Sequence, residues 1–326
     1  MLRRLLLLTI LLVSVMPASL AWGWGCTGHE VVALIALKAM RPDVATQVEA
    51  LLAAQDHNYK PRFCKDLGLD PIAFYATWAD DYRSSEAGAN TAPWHFWDVP
   101  LFRDSAAANE FCDQGCVTHA VQEQLAILSD QTKDPATRGE ALKFVIHFLG
   151  DLHQPLHVED NNDRGGNCVP AGFLTQQTKE TNKSEGSYTP NLHGIWDTEL
   201  PENIGGVKTR TAESVQAFAA KISGDQAAVI QQAASGPVDI MAWAMETHAI
   251  AQKDPYKLLP KKIAVAKTSN PVTNCSDRNT STNLAKKHES IQQSYINAVS
   301  PDVEMQLAKA GGRLAAVLNS AWPSPN

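Results

Sequence analysis

The chain has no surplus of basic residues: 28 Lys and Arg stand against 35 Asp and Glu, a formal charge of -7. That argues against gripping nucleic acid by a basic face. It does not exclude a phosphate substrate, because bound metal ions add positive charge outside the residue count. Long apolar runs are also missing. The best, LLLLTILLVSVM near the N-terminus, has about a dozen residues, against the roughly 20 that span a bilayer. Zinc-finger cysteine spacing is absent, which disfavours thiolate ligation. There is no internal repeat and no heptad run, so solenoids and coiled coils drop out. Strand signals are few, WHFWDVP (94–100) being the best.

What is present is helical periodicity. HEVVALIALKAM places Val31, Val32, Leu34, Ile35 and Leu37 on a broad apolar face. RPDVATQVEALLAA, DPIAFYATWADDYR, VTHAVQEQLAILSD, TAESVQAFAAKI, GPVDIMAWAMETHAIAQ and PDVEMQLAKAGGRLAAVLNSAW read the same way. DPATRGEALKFVIHFLGDLHQPLH opens at Asp134-Pro135 and ends near Pro155. The class is all-α, one compact multi-helix domain, interrupted by long polar stretches at 158–192 and 255–283. Stretches of that length usually carry function or disorder.

The first 20 residues have the plan of a secretory signal. Arg3 and Arg4 are the basic start, the apolar run follows, and Ala18, Ser19 and Ala21 are small. Loss of the two arginines would take the charge from -7 to -9. The alternative is a retained anchor. The mature protein is expected to be soluble and exported, secreted or periplasmic, with no membrane attachment. All six cysteines (Cys26, Cys64, Cys112, Cys116, Cys168 and Cys275) lie beyond the leader, an even count that suggests disulfides in an exported chain. Fifteen pairings are possible, and proximity weakly favours Cys112–Cys116.

Ten histidines invite a search for metal ligands. HFLGD sets His147 and Asp151 four apart, so a helix points both from one face. HGIWD repeats the spacing with His193 and Asp197. QPLH puts His157 just past a proline, TWAD holds Asp80 and APWHFWD holds His95. Taken singly, such pairs are often surface salt bridges, and a His among aromatics is usually core. Taken together they lie in apolar segments where unpaired carboxylates are costly, and a metal would neutralise them at once. Imidazole and carboxylate suit hydrolytic zinc.

These motifs, WGCTGH, WAD, HFWD, HFLGDLHQPLH, GGN and NLHGIWD in order, resemble the trinuclear-zinc single-strand nucleases of the S1/P1 type, which include mung bean nuclease and the plant bifunctional nucleases. The likeness runs from Trp24 to the last helix. It implies a mature chain that starts at Trp24, whose amino group and carbonyl oxygen bind a metal. The leader would then be 1–23 and the nuclease domain 24–326. Signal-site appearance alone also permits a cut before Trp22.

The resemblance implies three Zn2+: one on Asp80, His95, His147 and Asp151, a second on His157, His193 and Asp197, and a third on Trp24, His29 and a shared Asp151. It further implies that zinc activates the hydroxide that attacks phosphorus and stabilises the departing 3′-oxygen. Asp80 would orient the water and Arg83 would contact phosphate. Phe96 would stack on a base while Asp98 bonds its edge. His153 is a candidate to brace a ligand, as is Asn167. Trp97 is read as core, and His57, His119, His248 and His288 belong to no constellation. Implied substrates are single-stranded DNA and RNA and nucleotides, cut to 5′-phosphorylated products, with 3′-nucleotidase activity alongside and no obligate protein partner. The alternatives are a zinc phospholipase C, whose ligand series ends in His-x3-Glu where this chain has Asp197, and a zinc-binding or adhesion protein without catalysis.

Overall fold

The structure, a computed structural model, describes residues 23–55, 59–277 and 288–322. The expected leader up to Trp22, and His57, lie outside the described residues. Helices dominate, as the periodicity predicts. In chain order they are α1 (Gly25–Ala39), α2 (Pro42–Ala53), α3 (Pro71–Phe74), α4 (Trp78–Arg83), α5 (Val117–Ser129), α6 (Pro135–Asp151) and the short α7 (Leu192–Gly194). After them come α8 (Leu200–Gly205), α9 (Ala212–Asp225), α10 (Ala227–Ser235), α11 (Ile240–Lys253) and α12 (Gln293–Ala321). Among the described residues no helix is long and apolar enough to cross a membrane.

The core is built around α1, α6 and α12. Helix α6 is buried from Ala141 to Asp151 without a break, so this helix has an apolar lining on every side. Asp134 caps it by accepting the Thr137 N–H at 2.9 Å, with Pro135 in the first turn. Helix α12 packs along α1 and α10. Two elements depart from the periodicity. DPIAFYATWADDYR, expected as one helix, is α3, a 3-10 turn at Tyr75–Thr77 and α4. Helix α12 was expected to begin at Pro301; it starts at Gln293 and runs through that proline. Proline cannot donate to the Asn297 carbonyl, and burial of Tyr295, Ile296, Val299 and Val303 outweighs the loss.

The strand signal at 94–100 is not a sheet: Trp94 and His95 end a 3-10 helix (Ala89–His95), and the chain is extended from Phe96 onward. Trp97 N–H donates to the His157 carbonyl at 2.8 Å, and Leu101 and Asp160 exchange bonds with this stretch. His95 at the end of that helix is fully buried, and along the extended chain beyond it Trp97 and Val99 turn inward while Phe96 and Asp98 stay half-buried at the surface. True strands are few: β1 (Ala171–Phe173) pairs in parallel with β4 (Glu289–Ile291), and β2 (Lys179–Asn182) pairs with β3 (Ser187–Thr189).

The two long polar stretches are joined to each other. Asn161 bonds both the Ala264 carbonyl and the Ala266 N–H, at 3.1 and 2.7 Å. Asn162 does the same for Thr268 and Asn270, at 2.9 and 2.7 Å, so two amides stand in for a strand edge. The disulfide Cys168–Cys275 ties the same two stretches. Cys26–Cys64 and Cys112–Cys116 complete the set, the last being the pair that proximity favoured. Three disulfides fit an oxidising, extracellular setting.

Under the clamp lie Glu159, Asp160 and Asp163, all buried. Tyr256 donates its hydroxyl at 2.7 Å to Glu159 and sits 3.0 Å from Asp163 Oδ1, which also accepts the Gly166 N–H. Burial, and then the neighbouring Asp160, push the Asp163 carboxyl up to about 7. A raised carboxyl binds its proton more tightly in the folded state. Its contribution is complete below about pH 4, the ordinary aspartate range, and is lost as the pH rises through 7. Asp163→Asn keeps an acceptor for Gly166 and cannot ionise. It is therefore expected to flatten the fall in melting temperature between pH 5 and pH 8, measured by circular dichroism. Parallel curves for the two proteins would remove this carboxyl as the cause.

Candidate metal centre and cleft

The floor of the cleft is made where the ends of α1 and α6 meet α4, the 95–99 stretch, the Pro155–His157 turn and α7. Four donor atoms gather first. His95 Nδ1 lies 3.0 Å from both His147 Nε2 and Asp151 Oδ2, and His147 Nε2 is 3.1 Å from Asp151 Oδ2. Asp80 Oδ1 stands 3.8 and 3.7 Å from the two nitrogens. Tetrahedral zinc with bonds of about 2.0–2.1 Å keeps its donors about 3.3 Å apart, so this spacing is what one shared ion requires.

A second group follows. His157 Nε2 is 3.1 Å from His193 Nε2, which is 3.4 Å from Asp197 Oδ2. A third lies against the other oxygen of Asp151: His29 Nε2 is 3.3 Å from Asp151 Oδ1. Asp151 is therefore common to two of the three groups, one oxygen to each. Trp24 is fully buried at the head of α1, five residues before His29.

Backbone carbonyls orient the rings. A carbonyl can only accept, so His147 donates its Nδ1–H to Ala76 O at 2.7 Å, His157 to His95 O at 2.7 Å and His193 to Gly165 O at 2.6 Å. Each ring then turns Nε2 toward its group with a lone pair available. Two glycines in the motifs have packing reasons. A Cβ at Gly150 would lie 2.6 Å from His29 Nδ1. Gly165 has φ +58°, and a Cβ there would overlap the Leu156 carbonyl and crowd His193. Asp197 lies in a π turn at Ile195–Glu199, directly after the short α7 that carries His193, a deviation common at functional sites.

The charges favour occupation by a cation. Asp80 Oδ2, His29 Nε2 and Asp151 Oδ1 are buried and have no hydrogen-bond partner in the protein, a cost that ligation would remove. Burial, then Arg83, push the His95 imidazole down to about 3, leaving it neutral, the ligating form. Burial likewise lowers His29 and His193. His147 moves the other way, because Asp151 and Asp80 outweigh its burial. Burial opposes ionisation of Asp151, yet His147 and His157 hold its carboxyl well below the usual range. Asp197 is raised by burial, which the hydrogen bond from Gln154 only partly offsets. The residues present fit divalent metal.

Other expected residues fall as follows. Arg83, three residues beyond Asp80, is buried and its Nη2 meets Asp80 Oδ1 at 2.6 Å. Phe96 and Asp98 line a depression of about 300 Å3 together with Asn167, Gly165 and His193. Burial, then Asp160, push the Asp98 carboxyl up to about 8, against Arg164. Asn167 donates to the Arg164 carbonyl at 2.8 Å and shapes that wall; no ligand is its partner. His153 does not reach the ligand groups. Its Nδ1–H donates to Leu149 O and its Nε2 accepts from Arg313. Trp97 is core. His248 bonds the Val158 and Arg103 carbonyls. Cys112, Cys116 and His119 also cluster, but the two sulfurs are bonded to each other and offer no thiolate.

Sequence reasoning passed over the neighbour of His153. Gln154 donates its side-chain N–H to Asp197 Oδ1 at 2.5 Å and receives the Leu156 N–H on its own oxygen. The signal was available in HQPLH: a polar residue held just before a proline, within a run of ligands. A separate depression of about 400 Å3 between α1, α9 and α10 has no such convergent groups.

Buried imidazole and carboxylate groups, three of them sharing one cleft floor, define a metal-binding hydrolase. A model of the S1/P1 Nuclease family matches residues 24–322. The chain is 32% identical to Nuclease S1 of Aspergillus oryzae over 210 residues, which is 61% of this chain and 62% of that protein. It is 27% identical to Nuclease P1 of Penicillium citrinum over 312 residues, 91% of this chain and 97% of that protein. Against Endonuclease 2 of Arabidopsis thaliana the identity is 26% over 319 residues, 91% and 90% of the two chains. The chain belongs to the S1/P1 nuclease family, hydrolases of phosphodiester bonds. Phospholipase C is not favoured.

Gln154→Leu is expected to free Asp197 and weaken retention of one metal by about 10- to 100-fold. The check is metal content after dialysis against graded chelator; unchanged retention would mean that Gln154 only braces the turn.

Proposed function

We propose that this protein is an exported single-strand nuclease that holds three zinc ions and yields 5′-phosphorylated products from DNA and RNA, with 3′-nucleotidase activity. The observation that carries the reading is Asp151, which turns one carboxylate oxygen to each of two donor groups on the floor of a cleft that also holds Phe96 and Asp98. In this assignment Asp80, His95, His147 and Asp151 hold one ion and His157, His193 and Asp197 another. Trp24, His29 and Asp151 hold the third. Support for Trp24 comes from the preceding residue. Gly23 lies so close to the third group that a Cβ there would overlap Asp151 Oδ1 and His29 Nε2. A cut after Gly23 clears that space and leaves a free amine, a far better ligand than a peptide nitrogen. The leader 1–23 and the domain 24–326 follow, with secretion or periplasmic export as the destination.

When bound, the ions supply Lewis acidity, which lowers the pKa of water and draws charge from the phosphoryl and departing 3′-oxygens. The chain's own residues do the rest. Arg83, paired to Asp80 Oδ1, keeps that carboxylate ionised against its burial and brings fixed positive charge beside the phosphate. Asp80 Oδ2, without a partner, is the oxygen that orients the water and accepts its proton. Phe96 stacks on a base, which needs an unstacked strand and tolerates any sequence. Asp98, protonated below about pH 8, both donates to and accepts from the base edge.

The deciding experiment is cleavage of single-stranded DNA by the purified exported protein, stripped by chelator and then given zinc. Zinc-restored release of 5′-nucleotides is expected. Release of phosphocholine from lecithin without strand cleavage would replace this reading with the phospholipase. Asp151→Asn is expected to lose more than one equivalent of zinc and at least 100-fold in rate, by metal analysis and initial velocities; full zinc and full rate would end the bridging role. Asp98→Asn, which keeps a donor and an acceptor, is expected to hold nucleotide affinity within about threefold at pH 6.5, while Asp98→Ala loses about 5- to 10-fold. Equal losses in titration calorimetry would show that the negative charge is what binds.

A further inference from the structure

The cleft does not end at Phe96. Beyond it lies a second depression of about 370 Å3, lined by Pro93, Phe111, Asp113, Gln114 and Gly115. Phe96, Asp98 and Pro271 border both depressions, so the two are one groove divided by the Phe96 ring. The near half contains His193 and opens on the ligand groups. The far half contains none of the ligand residues, so whatever sits there is held without being cut.

Resting on the nuclease reading, we propose that the far half is a second base subsite, which takes the next nucleobase of a single strand, with Phe111 as its stacking platform. Its lining has the chemistry of a base site: an aromatic ring and prolines for the faces, and Gln114 and Asp113 for the edges. No lysine or arginine lines it, so it is unsuited to phosphate. Phe111 is held in place. Its φ of +57° lies in the left-handed region, costly for a bulky residue and kept only where the surroundings impose it. Cys112–Cys116 closes the hairpin directly after it. Arg103 lies over the ring, 5.7 Å from its centroid. Gly115, at φ +90°, lets the hairpin lie against Trp94, since a Cβ there would be 2.8 Å from the indole. A rigid ring loses little entropy on stacking. Pro271 on the opposite wall is brought in by the Asn161 and Asn162 clamp and by Cys168–Cys275.

The subsite makes affinity depend on strand length. A dinucleotide places one base on each side of the scissile phosphate and reaches only the near half. A third nucleotide fills the far half and is expected to tighten binding by at least about fivefold, the lower end for one stacked base. Binding of the zinc-loaded protein to di-, tri- and tetrathymidylate with non-cleavable linkages, by titration calorimetry, reads this directly. Phe111→Gly suits the backbone and removes the platform. It should abolish the gain from the third nucleotide and leave dinucleotide binding within twofold. Phe111→Tyr should keep the gain, and an abasic third nucleotide should lose it in the wild type. No gain in the wild type, a gain that survives Phe111→Gly, or equal losses for di- and trinucleotide in that variant would each overturn the subsite. Cleavage of the natural dinucleotide, assayed in parallel, tests the nuclease reading separately: length-dependent binding without cleavage keeps the subsite and removes the activity, and cleavage without length dependence does the reverse.

Discussion

The arrangement of this protein depends on keeping one carboxylate ionised in a fully buried place. Asp151 ends α6, and both of its oxygens face imidazoles. Burial alone would raise its pKa, as it raises that of Asp197. The surrounding histidines reverse that, and a metal on each side would do so far more strongly. The rest of the centre is spaced to suit that position. Helix α1 brings His29, the end of the 3-10 helix Ala89–His95 brings His95, and one turn before Asp151 on the same helix comes His147.

Holding several neutral imidazoles at fixed angles is a backbone problem as much as a side-chain one. The carbonyls of Ala76, His95 and Gly165 each take one Nδ1–H, so three separate segments aim three rings. Glycine is needed where the segments approach most closely, at Gly150 beneath His29 and at Gly165 beside His193. These are packing requirements of the centre. They account for the small residues inside the ligand motifs.

Helix placement was legible because helical periodicity and capping are local. Asp134-Pro135 opens α6 as its residue types predict. The paired ligands four apart were legible for the same reason, since one helix face is fixed by chain geometry alone. The less legible features are non-local. Helix α12 passes through Pro301 because its neighbours bury it. His153 turns to Arg313 while Gln154 takes the ligand Asp197, a choice that one residue of rotation decides. The pairing of Arg83 with Asp80 likewise depends on the fold that encloses both.

The sequence by itself determined the helical class, the ligand residue types and their pairing along the helices. It also determined an even cysteine count suited to an oxidising compartment. Tertiary structure alone decided that three donor groups share one floor, that Asp151 is common to two of them, and that the stretches at 158–192 and 255–277 close over a single groove. The reason is physical. Spacing along a helix follows from 3.6 residues per turn, whereas the meeting of Asn161 with Ala264, or of Cys168 with Cys275, depends on how every intervening helix packs.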